Sequence, residues 1–289
     1  MTNIRKCWPG PHVGILAARL ARLAVAGVFV LLLSAAGALA ATITVTVTTD
    51  DITPNDGTVS LREAITAINA GNSLGDPDII AQKPGIYGVN DTINFNIPGT
   101  GVHIINVGTA FDALGIPLPT IVKPVSINGY SQVGSLKNTL AQNNHDNAVL
   151  VIELNGAQAG TGANGLDLGP GSAGSTVQGL IINHFSANGI DIESAGNTIA
   201  GNFIGTDVTG NNPGAGNTND GVLINNAGGS NVIGGNTPAA RNIISFNGVN
   251  GIEIIVQPDT VDGNVISGNG KNHGQGDKIE IPCGIVISK

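Results

Sequence analysis

The sequence predicts an all-β solenoid, and three observations carry that prediction. First, a glycine opens the same short apolar phrase five times. It reads Asn164-Gly165-Leu166-Asp167-Leu168, Asn188-Gly189-Ile190-Asp191-Ile192, Asp220-Gly221-Val222-Leu223-Ile224, Asn250-Gly251-Ile252-Glu253-Ile254 and Cys283-Gly284-Ile285-Val286-Ile287. These glycines stand 24, 32, 30 and 33 residues apart, a period that marks strands stacked coil upon coil. Second, another phrase interleaves with the first. It appears as Thr176-Val177-Gln178-Gly179-Leu180-Ile181-Ile182, Thr198-Ile199-Ala200-Gly201-Asn202-Phe203-Ile204 and Thr260-Val261-Asp262-Gly263-Asn264-Val265-Ile266, with an interrupted copy from Asn231 to Ile244. Each coil therefore has at least two strand faces. Third, the 43 glycines and the 3% of aromatic residues accompany regularly alternating aliphatics, so glycine and asparagine are read as turn residues rather than as a sign of disorder.

The elements follow in order. Residues 1–40 read as a signal peptide: Arg5, Lys6, Arg19 and Arg22 precede the apolar run Leu23–Leu33, and Ala38-Leu39-Ala40 supplies the cleavage pattern. An uncleaved anchor is the alternative, because the stretch to Ala41 approaches the roughly 20 residues that span a bilayer. With cleavage, no membrane span is expected. Thr42 to Thr48 alternates as a half-buried strand. Ser60-Leu61-Arg62-Glu63 has the form of a capping box, and Leu61, Ile65 and Ile68 make one apolar stripe on a short helix. Such a helix would cover the exposed strand edge of a first coil, so residues 41–75 are assigned as an N-terminal cap. Asp76 to Gly88 reads as a loop. Residues 76–289 form the solenoid, with strands near 92–97, 102–107, 120–127 and 149–154 and a polar surface excursion at 134–147. Asn202, Asn242 and Asn264 are placed to build amide ladders between coils. The chain reaches Lys289 directly after the fifth phrase, so a truncated product, a fragment or one part of a longer array is expected.

Asp56-Gly57-Thr58-Val59-Ser60-Leu61-Arg62-Glu63-Ala64-Ile65 resembles the CSLREA domain of exported bacterial repeat proteins, with Val59 where that motif has its cysteine. Leu118 to Gly129, Gly201 to Asp207 and Arg241 to Ser245 resemble the segments that follow in such proteins, which are right-handed parallel β-helices of the pectin-lyase-like type. The resemblance implies a secreted or cell-surface location and brings no agreed catalytic activity.

Four of the twelve Lys and Arg, and none of the Asp and Glu, lie in the leader, so the mature chain carries a charge of −12. That balance argues against nucleic acid and anionic lipid as partners. Cys283 is the only cysteine after cleavage, so no intramolecular disulfide is expected. Catalytic motifs are fragmentary. Asn217-Thr218-Asn219-Asp220-Gly221 resembles a polygalacturonase signature split by an extra asparagine, and His273-Gly274 and Asp277-Lys278-Ile279 do not complete it. His103, His145, His184 and His273 show no metal-ligand spacing and read as surface or loop residues.

The remaining candidate is the outward column of the glycine-led face: Asp167, Asp191, Leu223, Glu253 and Val286. Asp167 and Asp191 should stand about 5 Å apart, close enough to share a cation. No cofactor is expected beyond, at most, a calcium ion there. The leading expectation is a non-catalytic β-helix that presents a surface for polysaccharide or cell-envelope contacts, or acts as a spacer. The alternative is a polysaccharide lyase or glycoside hydrolase with its site on loops 206–219 and 271–282.

Overall fold

A computed structural model describes residues 39–88, 90–109, 115–141, 146–225, 229–255 and 259–270, together with the backbone of 279–280 and 287–288. All but the last two residues of the leader, and with them its expected apolar run, lie outside the described residues. Three parallel sheets build the unit Ala40–Lys289. The first contains Thr42–Val45, Asp91–Phe95, Val125–Asn128, Thr176–Gln178, Thr198–Ala200, Val232–Gly234, Thr260–Asp262 and Ile287–Ser288. The second contains His103–Asn106, Ile152–Asn155, Leu180–Asn183, Phe203–Ile204, Ile243–Ser245 and Val265–Ser267. The third is the glycine-led face: Leu166–Leu168, Ile190–Ile192, Val222–Ile224, Ile252–Ile254 and Ile279–Glu280. This repeating three-sheet pattern matches a right-handed β-helix.

Alternation explains the core. In the first sheet Ile43, Ile93, Ile127, Val177, Ile199, Ile233 and Val261 pair in register from coil to coil, and all are buried. Each contributes about 1.5–3 kcal/mol of burial. The glycines at the head of the third sheet stack as well. A Cβ on Gly189 would lie 2.6 Å from the Gly221 carbonyl oxygen, and one on Gly221 would lie 2.6 Å from that of Gly251. The coils approach too closely there for any side chain.

Over its central strands the second sheet is apolar on both faces. Leu180, Ile182, Ile204 and Ile244 point into the core, while Ile181, Phe203 and Ile243 form a separate cluster with Leu150 outside it. The excursion after Ile204 lies over this outer cluster: a Cβ on Gly210 would stand 2.9 Å from Ile243 Cδ1. The insertion thus covers apolar surface that a bare coil would expose.

Bend amides join the coils. The Asn202 amide nitrogen donates to Asn242 Oδ1 at 2.9 Å, and Asn242 Nδ2 donates to Asn264 Oδ1 at 2.8 Å. Asn217, Asn247 and Asn269 form a second such file, and Asn197, Asn231 and Asp259 a third. Each amide satisfies backbone groups that a tight bend would otherwise bury without partners.

The helix Leu61–Ala70 begins as its sequence dictates. Ser60 Oγ accepts from the Glu63 amide at 3.1 Å, and the Ser60 amide donates to Glu63 Oε2 at 2.7 Å. Leu61, Ile65 and Ile68 are buried, and so are Arg62 and Glu63. Arg62 forms a two-pronged ion pair with Asp50, 2.7 Å on each arm, and donates to the carbonyls of Ile116 and Pro117. Asn69 ties the helix to the backbone of Thr120 and Val122.

Three expectations are corrected. The segment after Asp76 is not all loop: Pro77–Ala81 is a short helix with Asp76 as N-cap and proline in its first turn. His103 is buried in a strand, 3.2 Å from Gln132 Nε2. The last residue of the fifth glycine phrase, Ile287, lies in the first sheet and not in the third. Ile287–Ser288 pairs with Val261 and Asp262 of the first sheet, and Ile279–Glu280 takes the place beside Ile252 and Glu253. Residues 281–286, with Val286, lie outside the described residues.

Candidate functional site: the acidic file of the third sheet

The glycine-led strands fix the site. Their outer residues are buried and the middle one is half-exposed in each of the first four strands. Asp167 pairs with Asp191, Asp191 with Leu223 and Leu223 with Glu253, so the side chains stand in file at about 4.8 Å per coil. The backbone of Glu280 continues the file next to Glu253.

The carboxyl groups differ in their surroundings. Asp167 Oδ1 accepts from Asn164 Nδ2 at 2.6 Å, and burial raises its pKa. Asp191 is pushed up to about 6, chiefly by burial and further by the charges of Asp167 and Glu193. Its Oδ1 is buried and has no hydrogen-bond partner.

Sequence reasoning missed Asp220. It occupies the bend position held by Asn188 and Asn250 in the neighbouring coils. Its backbone amide donates to Asn188 Oδ1 at 3.1 Å, and its Oδ1 accepts from the Asn250 amide at 2.8 Å. Burial, together with the hydrogen-bonding and charge of Glu253, pushes Asp220 up to about 7. The one signal in the sequence was an aspartate standing where the first, second and fourth copies of the phrase have asparagine.

The other sequence candidates stand apart from this file. Ser60, Leu61, Arg62, Glu63, Ile65 and Ile68 belong to the helix and its own contacts. Asn217 and Asp220 of the hydrolase-like fragment are both buried in bend files. His184 and Ser186 line an open groove of about 520 Å³, but the Ser186 hydroxyl donates to the Gly160 carbonyl. His145 and His273 lie outside the described residues. Among the described residues, no group of three or more His, Cys, Asp or Glu converges as a metal cage, and no helix is long and apolar enough to cross a membrane.

The file can take up protons as pH falls through the range of its raised pKa values, and it can pair carboxylates of adjacent coils across a cation. Comparison with protein-family models, curated proteins and solved structures found no match to this chain.

Proposed function

We propose that this is an exported, non-catalytic β-helix repeat protein. In this reading Asp167, Asp191 and Glu253 present a carboxylate surface to polysaccharide or cell-envelope polymers, and the solenoid is the spacer that carries it. The observation that carries the reading is the buried, unpartnered Oδ1 of Asp191 next to the in-register Asp167. A hard cation such as calcium takes oxygen ligands of this kind, and one that bridges the file to an anionic polymer needs no closed cage. We read residues 41–75 as a CSLREA-type cap over the first coil, supported by the capping box and by the Arg62–Asp50 pair. Residues 1–40 remain the proposed export signal.

The hydrolase or lyase reading loses its motif support, because Asn217 and Asp220 are committed to inter-coil hydrogen bonds. Isothermal titration of the purified chain with calcium, paired with pull-down on plant and bacterial polysaccharides, tests the proposal. Calcium-dependent retention that Asp191→Asn abolishes is the expected result. Release of unsaturated or reducing sugar ends would overturn the non-catalytic reading, and equal retention by Asp191→Asn would remove the file from it.

A further inference from the structure

The three sheets turn very different outer faces outward. The second is apolar over its central strands, where the insertion after Ile204 lies on it, and the third is acidic. The first carries a file of hydroxyls. Thr42, Thr92, Ser126, Thr176, Thr198, Val232 and Thr260 occupy one outward position on seven consecutive strands, paired in register without a slip. All seven are half-exposed or exposed. The file runs for about 29 Å at about 4.8 Å per step.

Its chemistry is narrow. No member is charged, on a chain with a formal charge of −8. Among the described residues, none of the six hydroxyls has a protein hydrogen-bond partner. No aromatic side chain stands in the file to stack on a sugar ring. The neighbouring file begins Thr44, Asn94, Asn128 and Gln178, so its own side chains are polar and uncharged over the first four strands, with the Lys137 ammonium 3.5 Å from Gln178 Oε1 at its edge. Threonine–threonine pairs do stabilise sheets, but that benefit does not require six unbonded hydroxyls in one line.

We propose that this file binds the surface of ice. Ice is an uncharged, periodic lattice of donors and acceptors, and an uncharged file of evenly spaced hydroxyls complements it. Methyl groups between the hydroxyls hold cage-like water, while each hydroxyl anchors that water by a hydrogen bond. Val232 keeps the branched shape and the methyls, so it preserves the file while lacking the anchor. The bend amides hold successive coils at fixed spacing, which a lattice match over many repeats requires. A single step contributes little, and seven in register act together.

Ice-recrystallisation inhibition and crystal shaping by the purified full chain test the proposal, with circular dichroism to confirm folding. The expected result is slowed grain growth and faceted crystals with the unaltered chain. Thr176→Lys and Thr198→Lys should lose both effects while remaining folded, and Thr198→Val should retain them. The more exposed Thr260→Lys serves if a central lysine disturbs the sheet, and it should weaken the effect. Grain growth indistinguishable from buffer overturns the proposal, as does full activity in folded lysine variants. Retention on insoluble neutral glucan through these threonines, without any effect on ice, would overturn it in favour of a glycan surface.

Discussion

Replacing Asp220 by asparagine should stabilise the protein, and only above acid pH. Asp220 is 5% exposed, and its carboxyl is pushed from 3.8 up to about 7 by burial and by Glu253. A carboxyl with a raised folded pKa binds its proton more tightly folded than unfolded. Its penalty is therefore absent below about pH 4, grows as pH rises through the folded pKa, and is complete near pH 8. A shift of this size corresponds to about 4 kcal/mol against the anion. Partial solvent screening of the carboxyl reduces what asparagine recovers to about 2 kcal/mol. Asparagine also keeps the acceptor for the Asn250 amide and gains an N–H for the Glu253 carboxylate. Thermal melts should show Asp220→Asn above the parent by about 4–8 °C at pH 8, with the two coinciding near pH 4. A variant no more stable at pH 8, or equally shifted at both pH values, would refute the burial argument.

Three further substitutions test the architecture. Gly189→Ala should cost about 3 kcal/mol, because its Cβ would meet Ile204 Cγ2 at 2.5 Å as well as the next coil's backbone; urea denaturation measures it. Arg62→Ala should lose about 3–5 kcal/mol by leaving Asp50 charged and buried without its partner, and the melting temperature should fall accordingly. Asn242→Ala removes the acceptor for the Asn202 amide and the donor to the Ile199 carbonyl. It should cost about 3 kcal/mol and speed hydrogen exchange at both neighbouring bends.

Much of the fold is legible in the chain, because glycine, the alternating aliphatics and the bend asparagines each carry a single physical demand. The Gly-x-x-x phrases located the third sheet and its outward aspartates, and Asn202, Asn242 and Asn264 announced their file. The fifth phrase misled because three apolar-alternating residues suit any of three faces. Ile287 pairs in the first sheet, and Ile279 takes the place beside Ile252 in the third. The helix after Asp76 was visible as aspartate followed by proline, a start signal obscured by the glycines downstream. Runs such as Leu180-Ile181-Ile182 hinted at apolar surface on both sides of a sheet, but nothing in them named the loop that covers the outer side. His103 is buried because Gln132, 29 residues away, meets its ring, a pairing that no local pattern records.

The bend amides have a consequence for how such a protein changes length. In the Asn202–Asn242–Asn264 file each backbone N–H reaches toward the next coil, whereas Asn188, Asp220 and Asn250 reach back toward the previous one. The turns that carry Asn202, Asp220 and Asn242 thus both offer and receive the same kinds of bond. Duplicating one whole turn inserts a module that fits on both sides, while adding half a turn leaves bonds of both senses dangling. Growth and shrinkage by gene duplication are quantised to the full winding.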